Sequence, residues 1–268
     1  MPLSLSERLT AIHRKAGRWT IAGLPEGADA LALAELARTT GGQDILHIAR
    51  DGHRLERLQD GLRFFAPDRE GLVMPAWDCL PYDRVSPHPD IVAERLETLS
   101  KLAAPKKPGA PGRIILVSVG AALQRVPPRE IYAGAATILK KGSTVDLAWL
   151  TEFLGNNGYQ RAETVMEPGE YALRGGLIDL FPPGTPEPVR LDLFGDQLEA
   201  LRSFDPMSQR STGELTEVAL LPVSEVLLTK ESIQRFRGGY RELFGNVAGE
   251  DTLYEAISAG QRHIGLEH

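Results

Sequence analysis

The sequence predicts an α/β fold: a parallel-sheet domain, residues 1–130 with 218–268, interrupted by a small α+β insert at 131–217. Three observations predict it. Short apolar runs alternate with amphipathic helical runs through the first half, as in a parallel sheet with right-handed crossovers. From 159 to 204 the chain changes to short strands punctuated by Gly and Pro, the pattern of antiparallel hairpins. From 217 the texture of a buried strand returns.

Taken in order, the apolar run at 19–23 reads as a first strand, and the Ala- and Leu-rich residues 25–39 as a helix stopped by Gly41 and Gly42. Residues 44–49 read as a second strand. Asp51 opens a helix that brings Leu55, Leu58, Leu62 and Phe65 to one face. A third strand follows at 71–76. Beyond a proline-rich loop, Val92, Leu96, Leu99 and Ala103 mark the face of another helix. Residues 105–112, rich in Pro, Gly and Lys, form a surface turn. The nearly unbroken apolar run at 113–120 predicts a central strand buried on both faces. In the insert, 136–142 reads as strand and turn, and Ser143 with Asp146 suggests a capping box opening a helix to Gly155. Residues 217–228 read as a buried strand, followed by helices at 230–244 and 251–259. No closing element follows, so the chain is expected to be part of a longer one. His268, in the terminal Leu-Glu-His, is assigned no role.

Composition narrows the function classes. The 268 residues are 42% apolar and 25% charged, with a net charge of −6. That is ordinary globular chemistry. The acidic balance argues against broad phosphate binding, though it allows a local basic patch. Cys79 is the single cysteine, which rules out an internal disulfide and a thiolate metal cage and fits a reducing cytoplasm. No run is long enough for a signal peptide or a bilayer span.

Catalytic and cofactor motifs fail one after another. The loop after the first strand, residues 23–30, sits where a nucleotide-binding fold cradles phosphate. A phosphate loop needs Lys and Ser/Thr after its last Gly, whereas Ala28 and Asp29 follow Gly27 here. Glu26 and Asp29 would repel phosphate, so no ATP site and no cofactor are expected. Ser118 lies in a buried run without the glycine of a nucleophile elbow. His47, His53 and His88 have no partners at metal-ligand spacing, and Cys79 reads as an apolar filler. Glu94, Glu97 and Glu130 read as solvated faces. Binding remains. The loop and helix start at 79–96 could meet nucleic acid through Tyr82, Arg84 and Arg95, or be a packed crossover in which Arg95 pairs with an acid.

The stretch around 189–205 is more informative. Gly195 and Asp196 suit a two-residue turn with Gly first, pairing Phe194 with Gln197 and Leu193 with Leu198. A regular ladder would then set Asp192 opposite Glu199. A bulge after Leu198 would relieve that and turn Leu201 and Phe204 inward. Upstream, Arg174 precedes the turn residues Gly175 and Gly176. Two arrangements fit. Arg174, Arg190 and Phe194 share one exposed face, a composition typical of interface hot spots. Otherwise Phe194 folds over the hairpin edge and the arginines pair with Asp192 and Asp179.

Three long blocks, residues 75–99, 165–184 and 189–211, resemble in register the N-terminal region of the bacterial transcription-repair coupling factors, the Mfd family. They are more distantly similar to the excision-repair protein UvrB. The resemblance implies a degenerate nucleotide-binding domain of UvrB type carrying an inserted domain that docks UvrA. It places the UvrA-contacting residues on Arg174, Arg190 and Phe194, which favours the shared exposed face. The phosphate loop is absent, and the interval from Trp77 to Pro89 is too short for UvrB's DNA-clamping hairpin. The expected function is therefore non-catalytic recruitment of UvrA to stalled RNA polymerase in transcription-coupled repair. A nucleotide-hydrolase half-site and a DNA-binding 79–96 loop stand as alternatives. The resemblance further implies that polymerase binding and ATP-driven DNA translocation lie in domains outside these residues. It also implies that the family's own C-terminal domain masks the UvrA face.

Overall fold

In the structure, a computed structural model, the described residues are 5–13, 16–69, 71–80, 83, 85–132, 135–245, 252–263 and 266. In chain order the elements begin α1 (Leu5–His13), α2 (Ala28–Thr39), β1 (Ile45–Ala49), α3 (Gly52–Phe65), β2 (Gly71–Met74), α4 (Pro89–Ala103), β3 (Ile114–Ser118), α5 (Val119–Leu123) and α6 (Arg129–Tyr132). They continue with β4 (Thr137–Lys140), α7 (Leu147–Asn156), β5 (Gln160–Arg161), β6 (Glu170–Arg174), β7 (Leu177–Leu180), β8 (Val189–Phe194) and β9 (Gln197–Phe204). Last come β10 (Ser211–Glu214), β11 (Glu217–Leu220), α8 (Lys230–Phe244) and α9 (Thr252–Ser258). The fold is mixed α/β, with parallel and antiparallel sheets. Packing groups the chain into two compact units, residues 1–76 with 105–125 and residues 77–104 with 126–268. These boundaries fall at other residues than the expected division of 1–130 with 218–268 against 131–217.

In the first unit, β1, β3 and β2 form a parallel sheet in that order. The apolar run predicted as a central strand is β3, all five of whose residues are buried. Helices α2 and α3 bury Ala30, Leu33, Ala34, Leu55, Leu58 and Leu62 with Ile114 and Leu116 of β3. Asp51 caps α3, accepting from the Arg54 N–H at 2.9 Å. The predicted strand at 19–23 is not one. It joins no sheet, and Trp19, Ile21 and Leu24 are exposed. Apolar composition favours extended backbone, but a strand exists only where a neighbour completes its ladder. Asp44 joins the starts of β1 and β3. It accepts from the Arg113 N–H at 2.9 Å and the Arg113 Nη2 at 2.7 Å, and from Lys106 Nζ at 3.0 Å.

In the second unit a six-stranded sheet runs β10-β9-β8-β7-β6-β5, antiparallel except for the parallel β5–β6 pair. One face packs Tyr171, Ile178, Leu180, Val189, Leu191 and Leu198 with Leu150, Phe153 and Leu154 of α7 and with Leu139, Val218 and Leu220 of the β4–β11 pair. The cap of α7 is Asp146 rather than Ser143. Asp146 Oδ1 accepts from the N–H groups of Ala148 (2.7 Å) and Trp149 (3.2 Å), while Ser143 Oγ donates to the Lys140 carbonyl. A carboxylate one residue before the first turn reaches two free N–H groups that a hydroxyl three residues earlier does not. The strand expected over 217–228 ends at Leu220, which pairs with Thr137, the first residue of its antiparallel partner β4, so no ladder remains beyond it. Arg95 of α4 is fully buried and pairs with buried Glu225, Nη2 donating to Oε2 at 3.1 Å. Trp77 Nε1 donates to the same carboxylate at 3.1 Å, and the guanidinium lies 5.1 Å from the centroid of its ring.

Two outcomes test these contacts. Hydrogen bonds from Arg113, opposed in part by desolvation, hold the Asp44 carboxyl well below the usual carboxylate range. A depressed pKa stabilises the fold above the unfolded value near 4 and loses that contribution as pH falls. Asp44→Asn therefore lowers the melting temperature at neutral pH, and thermal scans show the deficit shrinking steadily below about pH 4. Glu225→Ala strands a buried guanidinium and costs about 3–5 kcal/mol in urea unfolding, whereas replacing both partners with apolar residues costs less.

Candidate partner-docking face

Hairpin β8–β9 turns at Gly195, whose φ of 60° suits the first position of a type II′ turn. Phe194 pairs with Gln197 and Leu193 with Leu198. The register then shifts, and Asp192 faces Ala200 instead of Glu199. The bulge removes the like-charge pairing that a regular ladder would force. Leu201 joins the main core. Phe204, expected on the same side, is buried on the other face with Val165, Ala172 and Phe181. Gly176 closes the neighbouring β6–β7 hairpin. A Cβ there would stand 2.7 Å from the Leu193 carbonyl oxygen, so only glycine allows β8 this close.

Strand parity places the three sequence-predicted residues. Arg174 is opposite Leu177, and Leu177 is opposite Asp192. Arg190 and Phe194 lie two residues either side of Asp192, so all three project from the face opposite the leucine core. Two strand spacings set Arg174 about 10 Å across the sheet from β8. Phe194 is 76% exposed. Arg174 is exposed, its Nη2 donating to the Glu163 carbonyl at 2.5 Å and to Thr164 Oγ1 at 3.0 Å.

Arg190 differs. Its side chain is only 19% exposed and grips Asp179 with both prongs, Nε to Oδ1 at 2.6 Å and Nη2 to Oδ2 at 2.8 Å. It lies 4.7 Å from the centroid of the Phe204 ring, and Nη1 donates to the Gln209 carbonyl at 3.4 Å. The Asp179 hydrogen bonds raise its pKa above the usual arginine value, which reinforces a permanent charge. The face thus holds two open side chains and one committed cation. The Asp179 pairing weighed from sequence is realised, while the stacking on Phe204 and the contact to Gln209 carried no sequence signal.

The other candidates fall elsewhere. Tyr82 and Arg84 lie outside the described residues, and Arg95 is buried on Glu225. Glu26 and Asp29 of the would-be phosphate loop pair with Arg57 and Arg54 of α3. Ser118 Oγ accepts from the Ala121 N–H as the cap of α5. His88 caps α4, Cys79 is buried, and desolvation lowers the pKa of half-buried His47. Burial likewise raises the pKa of Glu94, with Glu97 adding repulsion. Among the described residues no group of three or more His, Cys, Asp or Glu could hold a metal ion. No helix of the described residues is long and apolar enough to cross a membrane. Asp179→Ala leaves Arg190 unpaired over an aromatic ring. Because Arg190 keeps some solvent, urea unfolding shows a loss of roughly 2–3 kcal/mol, below that of a fully buried pair.

Residues 138–226 match the family described as "UvrB interaction domain", a range that holds the whole six-stranded sheet. The chain is 37% identical over 255 residues to the transcription-repair-coupling factor of Escherichia coli K12, covering 95% of this chain and 22% of that protein. It is 34% identical to the Haemophilus influenzae factor, covering 90% of this chain and 21% of the other. The Bacillus subtilis factor is 27% identical, with 85% and 19% covered. The chain thus contains a region that matches the UvrB interaction domain and, over nearly its whole length, is similar to about a fifth of a transcription-repair-coupling factor.

Proposed function

We propose that this chain is a non-catalytic interaction module of transcription-coupled nucleotide excision repair. The face bearing Phe194, Arg174 and Arg190 docks UvrA and so recruits it to stalled RNA polymerase in the cytoplasm. One observation carries the reading: a 76% exposed phenylalanine shares a sheet face with an exposed arginine inside the residues that match the UvrB interaction domain. Phe194 is the apolar anchor, and Arg174 supplies charge-assisted hydrogen bonds to acids or carbonyls of UvrA. Arg190 contributes mainly by positive potential and by holding the surface in shape.

The first unit belongs to this proposal as a nucleotide-binding-type domain that has lost its phosphate loop, where paired acids now stand. Polymerase binding, DNA binding and ATP-driven movement are assigned to the parts of the longer relatives that these residues do not span. The relatives' C-terminal domain is assigned the role of covering the docking face until polymerase is engaged.

The test is affinity for purified UvrA. Phe194→Ala weakens binding about thirtyfold, roughly 2 kcal/mol, with unfolding unchanged because the ring packs little at home. Arg174→Glu weakens it at least about tenfold. Arg190→Glu would set a carboxylate against Asp179, so its affinity counts only beside a melting curve. Unchanged UvrA affinity in both Phe194→Ala and Arg174→Glu would overturn the proposal.

A further inference from the structure

The loops at 162–169 and 205–210 meet over the same sheet face. Gln209 joins them, its Nε2 donating to the Val165 carbonyl at 3.2 Å and to the Pro206 carbonyl at 2.7 Å. Its own carbonyl accepts from Arg190, and its N–H donates to the Asp205 carbonyl at 2.8 Å. Asp205 closes the turn by accepting from the Ser208 N–H at 2.6 Å and donating its N–H to the Arg210 carbonyl at 3.0 Å. In the first loop, Glu170 accepts from the N–H groups of Met166 (2.8 Å) and Glu167 (3.0 Å), while Arg174 holds Glu163 and Thr164. Buried Val165, Ala172, Phe181 and Phe204 lie beneath.

Gln209 has a φ of 59°, the one positive value outside glycine among the described residues. Such a backbone is unfavourable for a side chain bearing a Cβ and persists only where its surroundings over-determine it. The loop is therefore held rather than free, yet it presents Met207, 80% exposed, while the 162–169 loop presents Met166, 41% exposed. Nothing in folding requires a pinned, strained turn to offer a thioether to water. Rigid presentation of an apolar side chain lowers the ordering cost of binding, and methionine adapts to irregular pockets.

We propose that the docking face extends beyond Phe194 and Arg174 onto this two-loop platform, with Met207 and Met166 entering an apolar recess on the same partner. The proposal rests on the UvrA reading above. Arg190, in it, is a positioning residue: through Asp179 and Gln209 it sets the height and orientation of the 205–210 loop. Arg174 on the same sheet face and Arg210 in the 205–210 loop are both exposed, so the partner surface is an apolar recess with an acidic rim.

UvrA affinity of the full chain is measured for Met207→Glu, Met207→Leu, Gln209→Gly and, as reference, Phe194→Ala. Met207→Glu weakens binding at least about tenfold, and Met207→Leu stays within about threefold. Gln209→Gly removes both side-chain pins while relieving the backbone strain. It leaves the melting temperature within a few degrees yet weakens binding several-fold, a split that a purely structural role would not produce. Full affinity in Met207→Glu and Gln209→Gly alongside weakened Phe194→Ala overturns the platform and spares the docking site. Full affinity in every variant overturns both.

Discussion

Side-chain alternation along β8 is the constraint on which the candidate site depends. Leu191 and Leu193 point into a core closed by α7, which commits Arg190, Asp192 and Phe194 to the opposite face. A one-residue slip would bury the arginine and the phenylalanine among leucines, so the core fixes the register of the opposite face. The bulge at Glu199 belongs to the same constraint. It lets β9 keep Leu198 and Leu201 in the core while sparing Asp192 an acidic neighbour.

Arg95, Arg190 and Arg174, three of the arginines that sequence reasoning singled out, end in three different environments. Arg95 is fully buried and paired with Glu225, and its charge serves only the interior. Arg190 is partly buried, gripping Asp179 and stacking on Phe204, yet still at the edge of the face. Arg174 is exposed, steadied by a backbone carbonyl and a hydroxyl. Desolvation separates them. The more water a guanidinium has lost, the more its pairing is needed at home and the less of it a partner can use.

The first unit shows why motif failure is informative. The Lys and Ser/Thr of a phosphate-loop motif do not follow Gly27, where Ala28 and Asp29 stand, and the acids Glu26 and Asp29 are engaged by Arg57 and Arg54. The parallel sheet is held by packing against small residues on α2 and leucines on α3.

Periodicity by itself determined where most helices and strands lie, including the buried β3, the turn at Gly195 and the pairings beside it. Those choices are local: steric limits on backbone angles and the spacing of apolar residues act over a few positions. For Arg174, Arg190 and Phe194 it left two arrangements open, a shared exposed face or arginines paired with Asp192 and Asp179. It did not determine that 19–23 would join no sheet, that β11 would stop at Leu220 opposite the first residue of β4, or that Asp146 would cap α7 in place of Ser143. Nor did it show Arg190 stacked on Phe204, or Gln209 bent to meet Val165. Only the tertiary structure decided these, because a ladder, an ion pair and a strained turn each need a partner brought in from elsewhere along the chain.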